Sequence, residues 1–204
     1  VEGGSIVGAQ AAEPDITWRR IDRAGQLVLP GFIDTHVHSA QLDVIGSWGE
    51  QLLDWLQTYT FPAEHRMVDP VLAQQGSQLF LDVLLAHGTT SAVVFPTVHK
   101  ASVDALFEGA LQRGMRLIAG KVLMDRHAPK TLCDDIDDVD SAEADCHELI
   151  ERWHGRGRLA YAVTPRFAPT SSDAQLAMAG RLLDSREGLY MQTHVAENPD
   201  EVRW

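Results

Sequence analysis

Five apolar runs recur along the chain, each followed by a stretch with helical periodicity, and this alternation limits the fold more than any other feature. The runs are LVLPGFIDTHVH (27–38), TTSAVVF (89–95), MRLIAGKVLMD (115–125), RLAYAVTPRF (158–167) and LYMQTHV (189–195). Between the first two, Asp69 and Pro70 supply a helix cap and first turn. Leu72, Leu79, Phe80, Val83 and Leu84 form its apolar stripe, and Gly88 ends it. Ser102 is expected to open the next helix and Gly114 to close it. Asp140 with Glu143, and Ser172 with Gln175, have capping-box spacing before two more.

Strands that are apolar throughout and alternate with helices imply an α/β fold, a parallel sheet with right-handed crossovers. An open doubly wound sheet and a (β/α)₈ TIM-type barrel both fit, and a barrel normally takes roughly 250 residues, against 204 here. Length alone leaves the two tied. Asn198 and Pro199 read as the cap and first position of another helix that stops short at Trp204. The expectation is the first five β-α units of a longer barrel, over residues 30–204.

A formal charge of −12 would repel a phosphate backbone, and the three lysines, Lys100, Lys121 and Lys130, form no cluster. Nucleic acid and anionic membranes are therefore not expected as partners; a small molecule is. No apolar run approaches the roughly 18 to 20 residues of a membrane span, and the N-terminus lacks the pattern of a signal peptide. Cys133 and Cys146 form no CxxC pair or disulfide framework, which suits a cytoplasmic protein. The acidic run DDIDDVD (134–140) reads as a solvated loop.

Chemistry gathers at the strand ends. His36 and His38 are two apart on one strand, so both imidazoles leave the same face. Arg166 and Phe167 end the fourth strand, His194 the fifth, and Glu197 follows three residues later. In a barrel all of them sit at one mouth. An HxH pair alone also suits two hydrogen-bonded core histidines. Three neutral imidazoles suit zinc or iron(II) with a position left open for water, whose pKa the metal lowers toward neutrality. A carboxylate such as Glu197 is then placed for proton transfer, which makes the constellation a hydrolytic centre.

Other polar residues carry weaker expectations. Asp34 faces away from the two histidines and reads as structural. His99, Asp125 and Arg126 fall near the functional face, whereas His65, His87, His147 and His154 fall in helices or at their ends. The segment 42–66 is long for a β-α connection and carries Trp48, Trp55, Tyr59 and Phe61; a lid, a dimer surface and simple packing against the rim all fit it.

PGFIDTHVH resembles the first-strand signature of the amidohydrolase superfamily, metal-dependent hydrolases and deaminases on a (β/α)₈ barrel beside a small β-sandwich. Within it the chain is similar to the guanine deaminase family through THVHSAQ, GEQLLDWLQTYTFPAE, GTTSAVVFPTVH, SVDALFEGALQRGMRLIAGKVLMDR, AYAVTPRFAPTSS and MQTHVAEN. The resemblance implies His36, His38 and His194 as ligands of one Zn²⁺ per subunit, with iron possible. It implies Gln41, Arg166 and Phe167 as purine-binding residues and Glu197 as the proton carrier in hydrolytic deamination of guanine to xanthine and ammonia. It further implies a role in purine catabolism, a cytoplasmic homodimer, and residues 1–29 as part of the β-sandwich.

Alternatives are deamination of another purine, a pyrimidine or a triazine, or a fragment acting only as a structural module. The sequence departs from the family pattern at Ser39, Ala40 and His127, and RLAYAVTPRF has no lysine to bridge a second metal. The family's later histidine and metal-binding aspartate have no counterpart assigned in residues 1–204.

Overall fold

A computed structural model describes residues 21–49 and 51–204, together with Ile6, Gly8 and Arg19. The chain divides into two units, Val1–Pro30 and Gly31–Trp204. The strands expected in residues 1–29 lie largely outside the described residues. Residues 21–30 carry one turn, closed by the Gln26 N–H donating to the Arg23 carbonyl at 3.0 Å, with Gly25 at a φ of +77° that side chains resist.

The second unit is built on six strands: β1 Phe32–His38, β2 Thr89–Phe95, β3 Arg116–Ala119, β4 Val122–Leu123, β5 Leu159–Pro165 and β6 Tyr190–Met191. Every pairing is parallel, with β1 against β2, β2 against β3, β3 and β4 both against β5, and β5 against β6. β3 and β4 are halves of one interrupted run, so the strands follow one another across the sheet in chain order. A doubly wound sheet reverses direction at a switch point. Unidirectional order is that of a barrel wall, and it breaks the tie that length leaves.

The third run, expected to be continuous over 115–125, breaks at Gly120. A Cβ there would stand 1.8 Å from the Ala162 carbonyl oxygen, so only glycine lets β5 pass this close.

The helices are α1 Leu52–Trp55, α2 Phe61–His65, α3 Pro70–Ala86, α4 Lys100–Arg113, α5 Val139–Trp153, α6 Asp173–Asp184 and α7 Pro199–Arg203. Asp69 caps α3 by accepting the Val71 N–H at 2.8 Å. Ser172 caps α6 through Gln175, and Asn198 with Glu201 forms a complete capping box on α7. Two starts differ from expectation. α4 begins at Lys100, before Ser102, whose buried hydroxyl donates to the His99 carbonyl at 2.9 Å. α5 is capped by Asp138 rather than Asp140, because the Asp138 carboxylate accepts the Ser141 N–H at 3.2 Å.

The main core lies between the sheet and α3–α6 and includes Phe80, Leu106, Phe107, Leu117, Leu149 and Tyr161, all 1% exposed or less. Truncating one of these leucines to alanine is expected to cost about 2–5 kcal/mol in transfer and cavity terms. A smaller cluster of Phe61, Phe95, Val98, Val122, Met124 and Leu132 fills the mouth side. Phe61 thereby plants the long connection between β1 and α3 onto the rim, and a π-helical turn at Leu56–Thr60 separates α1 from α2. The acidic run is not wholly solvated: Asp134 is buried against Lys121. None of the described helices is long and apolar enough to cross a membrane.

Candidate metal centre

β1 delivers His36 and His38 to the mouth despite a register irregularity between Asp34 and Val37. The Asp34 carboxylate accepts the His36 N–H at 3.1 Å and so ties the irregular segment. His194 arrives just beyond β6, its own N–H donating to the Arg166 carbonyl at 3.0 Å. The three imidazoles offer ligand atoms that all lie within 4.8 Å of one another. His38 Nε2 and His194 Nε2 are 3.1 Å apart. Two nitrogens each about 2.0–2.1 Å from one ion at a tetrahedral angle would be about 3.3–3.4 Å apart, so the donor set fits a single divalent metal. Phe95, at the end of β2, is the shared floor, its ring centroid 5.2, 5.0 and 4.3 Å from those of His36, His38 and His194.

The hydrogen bonds fix proton positions. His194 Nδ1 lies 2.8 Å from the Arg166 carbonyl, an acceptor only, so Nδ1 carries the hydrogen and Nε2 presents a lone pair to the cluster. Burial, with the positive charge of Arg166 and the other two imidazoles after it, lowers the His38 pKa to about 2. Burial also lowers that of His194, against the opposing charge of Glu197. Both imidazoles are therefore neutral at ordinary pH, the state a metal ligand requires.

The remaining expected residues are distributed around this cluster. Gln41, in the 3₁₀ turn Ser39–Val44, places Nε2 3.1 Å from His38 Nδ1 and 3.1 Å from Glu64 Oε1. Arg166 is 3% exposed, donates from Nη1 to Glu64 Oε2 at 2.7 Å and lies 5.2 Å above the Phe61 ring. Phe167 is buried beside it but, among the described residues, its ring makes no stacking contact with the histidines. Glu197 is exposed and follows Ala196, whose φ of +56° is left-handed. The Glu201 carboxylate holds that turn by accepting the N–H groups of Ala196 and Glu197 at 3.0 and 2.8 Å.

Asp125 and Arg126 are engaged elsewhere. Asp125 accepts the Ser172 N–H at 2.8 Å, and Arg126 donates to the Pro169 carbonyl at 3.1 Å. His127 is tied to the same carbonyl at 2.7 Å. His99 Nε2 is buried without a hydrogen-bond partner among the described residues, and burial followed by the charges of His65 and Lys121 lowers its pKa. Sequence reasoning passes over two residues. Phe95 had a signal, as the last residue of a strand pointing at the mouth. Glu64 had a fainter one, a carboxylate directly after the apolar Phe61, Pro62 and Ala63.

The amidohydrolase family model matches residues 27–204. Guanine deaminase of Escherichia coli (strain K12) is 53% identical over 194 residues, covering 94% of this chain and 43% of that protein. Its solved structure superposes with a TM-score of 0.81, covering 84% of this chain and 39% of that one. The structure of guanine deaminase from C. acetobutylicum with bound guanine in the active site superposes with a TM-score of 0.80 at 31% identity, covering 84% and 41%. The chain thus spans less than half the length of the relatives it matches.

Proposed function

The chain belongs to the amidohydrolase family, and from that premise we propose that it carries the metal ligands and purine-reading side chains of a hydrolytic guanine deaminase. The observation that carries the reading is the convergence of His36, His38 and His194 within 4.8 Å, with the Gln41 side chain 3.1 Å from one of them. The similarity to guanine deaminases supports the substrate.

His36, His38 and His194 would hold the ion, zinc first and iron(II) second. Bound there, a divalent ion supplies Lewis-acid activation of water at neutral pH. Arg166 donates N–H groups to the purine carbonyl, Gln41 reads the adjacent ring edge, and Phe167 covers the ring face. Glu197 takes the proton released by the attacking water. It passes that proton to a ring nitrogen, which keeps it, and then carries the second proton, from the hydroxyl now bonded to the attacked carbon, to the departing amine, so that guanine and water become xanthine and ammonia. Residues 1–29 as part of a β-sandwich, residues 30–204 as the first part of the barrel, a homodimer, a cytoplasmic setting and a place in purine catabolism belong to the same proposal.

The test is a guanine-to-xanthine assay alongside metal analysis of the full protein. Turnover that chelation abolishes and zinc restores is expected; full metal occupancy without turnover on guanine overturns the reading.

A further inference from the structure

Glu64 has no part in the roles above, yet it touches two of the side chains that carry them. Its side chain is 1% exposed. A buried carboxylate is costly unless its oxygens are satisfied, and here one oxygen accepts from Arg166 and the other from Gln41. The two substrate-reading groups therefore share one acceptor, contributed from 23 and 102 residues away in the chain.

This arrangement fixes the polarity of Gln41. Paired with Arg166, Glu64 is an acceptor only, so the amide nitrogen of Gln41 faces it, even though this sets that nitrogen 3.1 Å from His38 Nδ1, which carries the hydrogen when His38 ligates through Nε2. With Nε2 engaged, Oε1 is the end left for a ligand; among the described residues it makes no hydrogen bond. Arg166 likewise uses Nη1 on Glu64, leaving its other N–H groups as donors. The pocket then presents an acceptor beside a donor. That pair matches the N–H and C=O edge of a cyclic amide and opposes the edge of an aminopurine such as adenine.

Resting on the deaminase reading, we propose that Glu64 is a positioning residue that sets this polarity, and with it the preference for purines bearing a ring N–H next to a carbonyl. Glu64→Gln keeps the shape and a carbonyl for Arg166, but its new amide donor turns Gln41 over and presents Nε2 outward.

The test measures dissociation constants of hypoxanthine and adenine, neither of which bears the 2-amino group, by calorimetry on the full metal-loaded protein. The wild type is expected to prefer hypoxanthine by about 10- to 100-fold, the range of one mispaired buried polar group. Glu64→Gln is expected to compress that ratio about tenfold while metal content stays the same. An unchanged ratio, or equal weakening of both ligands, overturns the assignment. If the wild type binds neither purine, the deaminase reading fails and this inference with it. If Glu64→Gln does not fold, Glu64→Asp, which keeps the charge but retreats from Gln41, is expected to lower the ratio in the same direction; an unaltered ratio there also overturns the proposal.

Discussion

The barrel contains two buried ion pairs that look alike in isolation and differ in what surrounds them. Lys121 and Asp134 have side chains 3% and 11% exposed; Arg166 and Glu64 are 3% and 1% exposed. Around the first pair the carboxylate is fully used within the protein: Asp134 also accepts from Gln175 Nε2 at 3.2 Å and from the Met124 N–H at 3.4 Å. The second pair saturates its carboxylate but leaves donors on the guanidinium at the mouth. Both pairs bear similar desolvation penalties. The first pair lashes the acidic loop to β4 and α6, whereas the carboxylate of the second is shared with Gln41, which itself contacts His38 of the histidine cluster.

Removal of one partner separates the two pairs most strongly. Lys121→Met strands a buried carboxylate and is expected to cost about 3–5 kcal/mol in denaturant unfolding. Adding Asp134→Leu should recover most of that loss, leaving about 1 kcal/mol for the unpaired Gln175 amide, with purine affinity untouched. The matching double replacement at the mouth, Arg166→Met with Glu64→Leu, should also recover stability. It should lower kcat/KM for guanine by at least about 100-fold, because buried polar recognition is lost. If both double variants keep activity, the distinction between the pairs fails.

A smaller effect separates the pairs by pH. Burial raises the Asp134 pKa above its usual value, Lys121 opposing in part. A carboxyl whose folded value exceeds its unfolded value favours the fold below the unfolded pKa. That contribution is lost as pH rises through the folded value. As pH rises above the usual carboxylate range the wild type should therefore lose stability relative to Asp134→Asn, a difference read from urea midpoints. The smallest effect is expected at the exposed Arg66–Asp43 pair, whose side chains are 52% and 61% exposed. Asp43→Ala should change unfolding by about 0–1 kcal/mol, although the pair sits two residues from Glu64.

What the sequence made legible follows the range of the forces involved. The helix caps at Asp69, Ser172 and Asn198 are local bonds, and each was readable from its own few residues. The histidine cluster was legible because strand periodicity aims His36 and His38 together and barrel geometry brings His194 to the same mouth. The break at Gly120 was not, since its cause is the Ala162 carbonyl on another strand. Glu64 escaped for the same reason: nothing near it in sequence announces a guanidinium 102 residues away. Asp134 looked like one of several solvated acids, and only the buried Lys121 distinguishes it.

Strand addition in chain order has a consequence in time. As the polypeptide leaves the ribosome, each new strand finds its neighbour already made, so the wall can grow by local docking without long searches. The three imidazoles behave differently, because His38 and His194 are 156 residues apart and meet only when the fifth run has docked. On the metal reading proposed above, ion capture would thus follow the docking of the fifth run and act as a latch that closes once the wall has been laid.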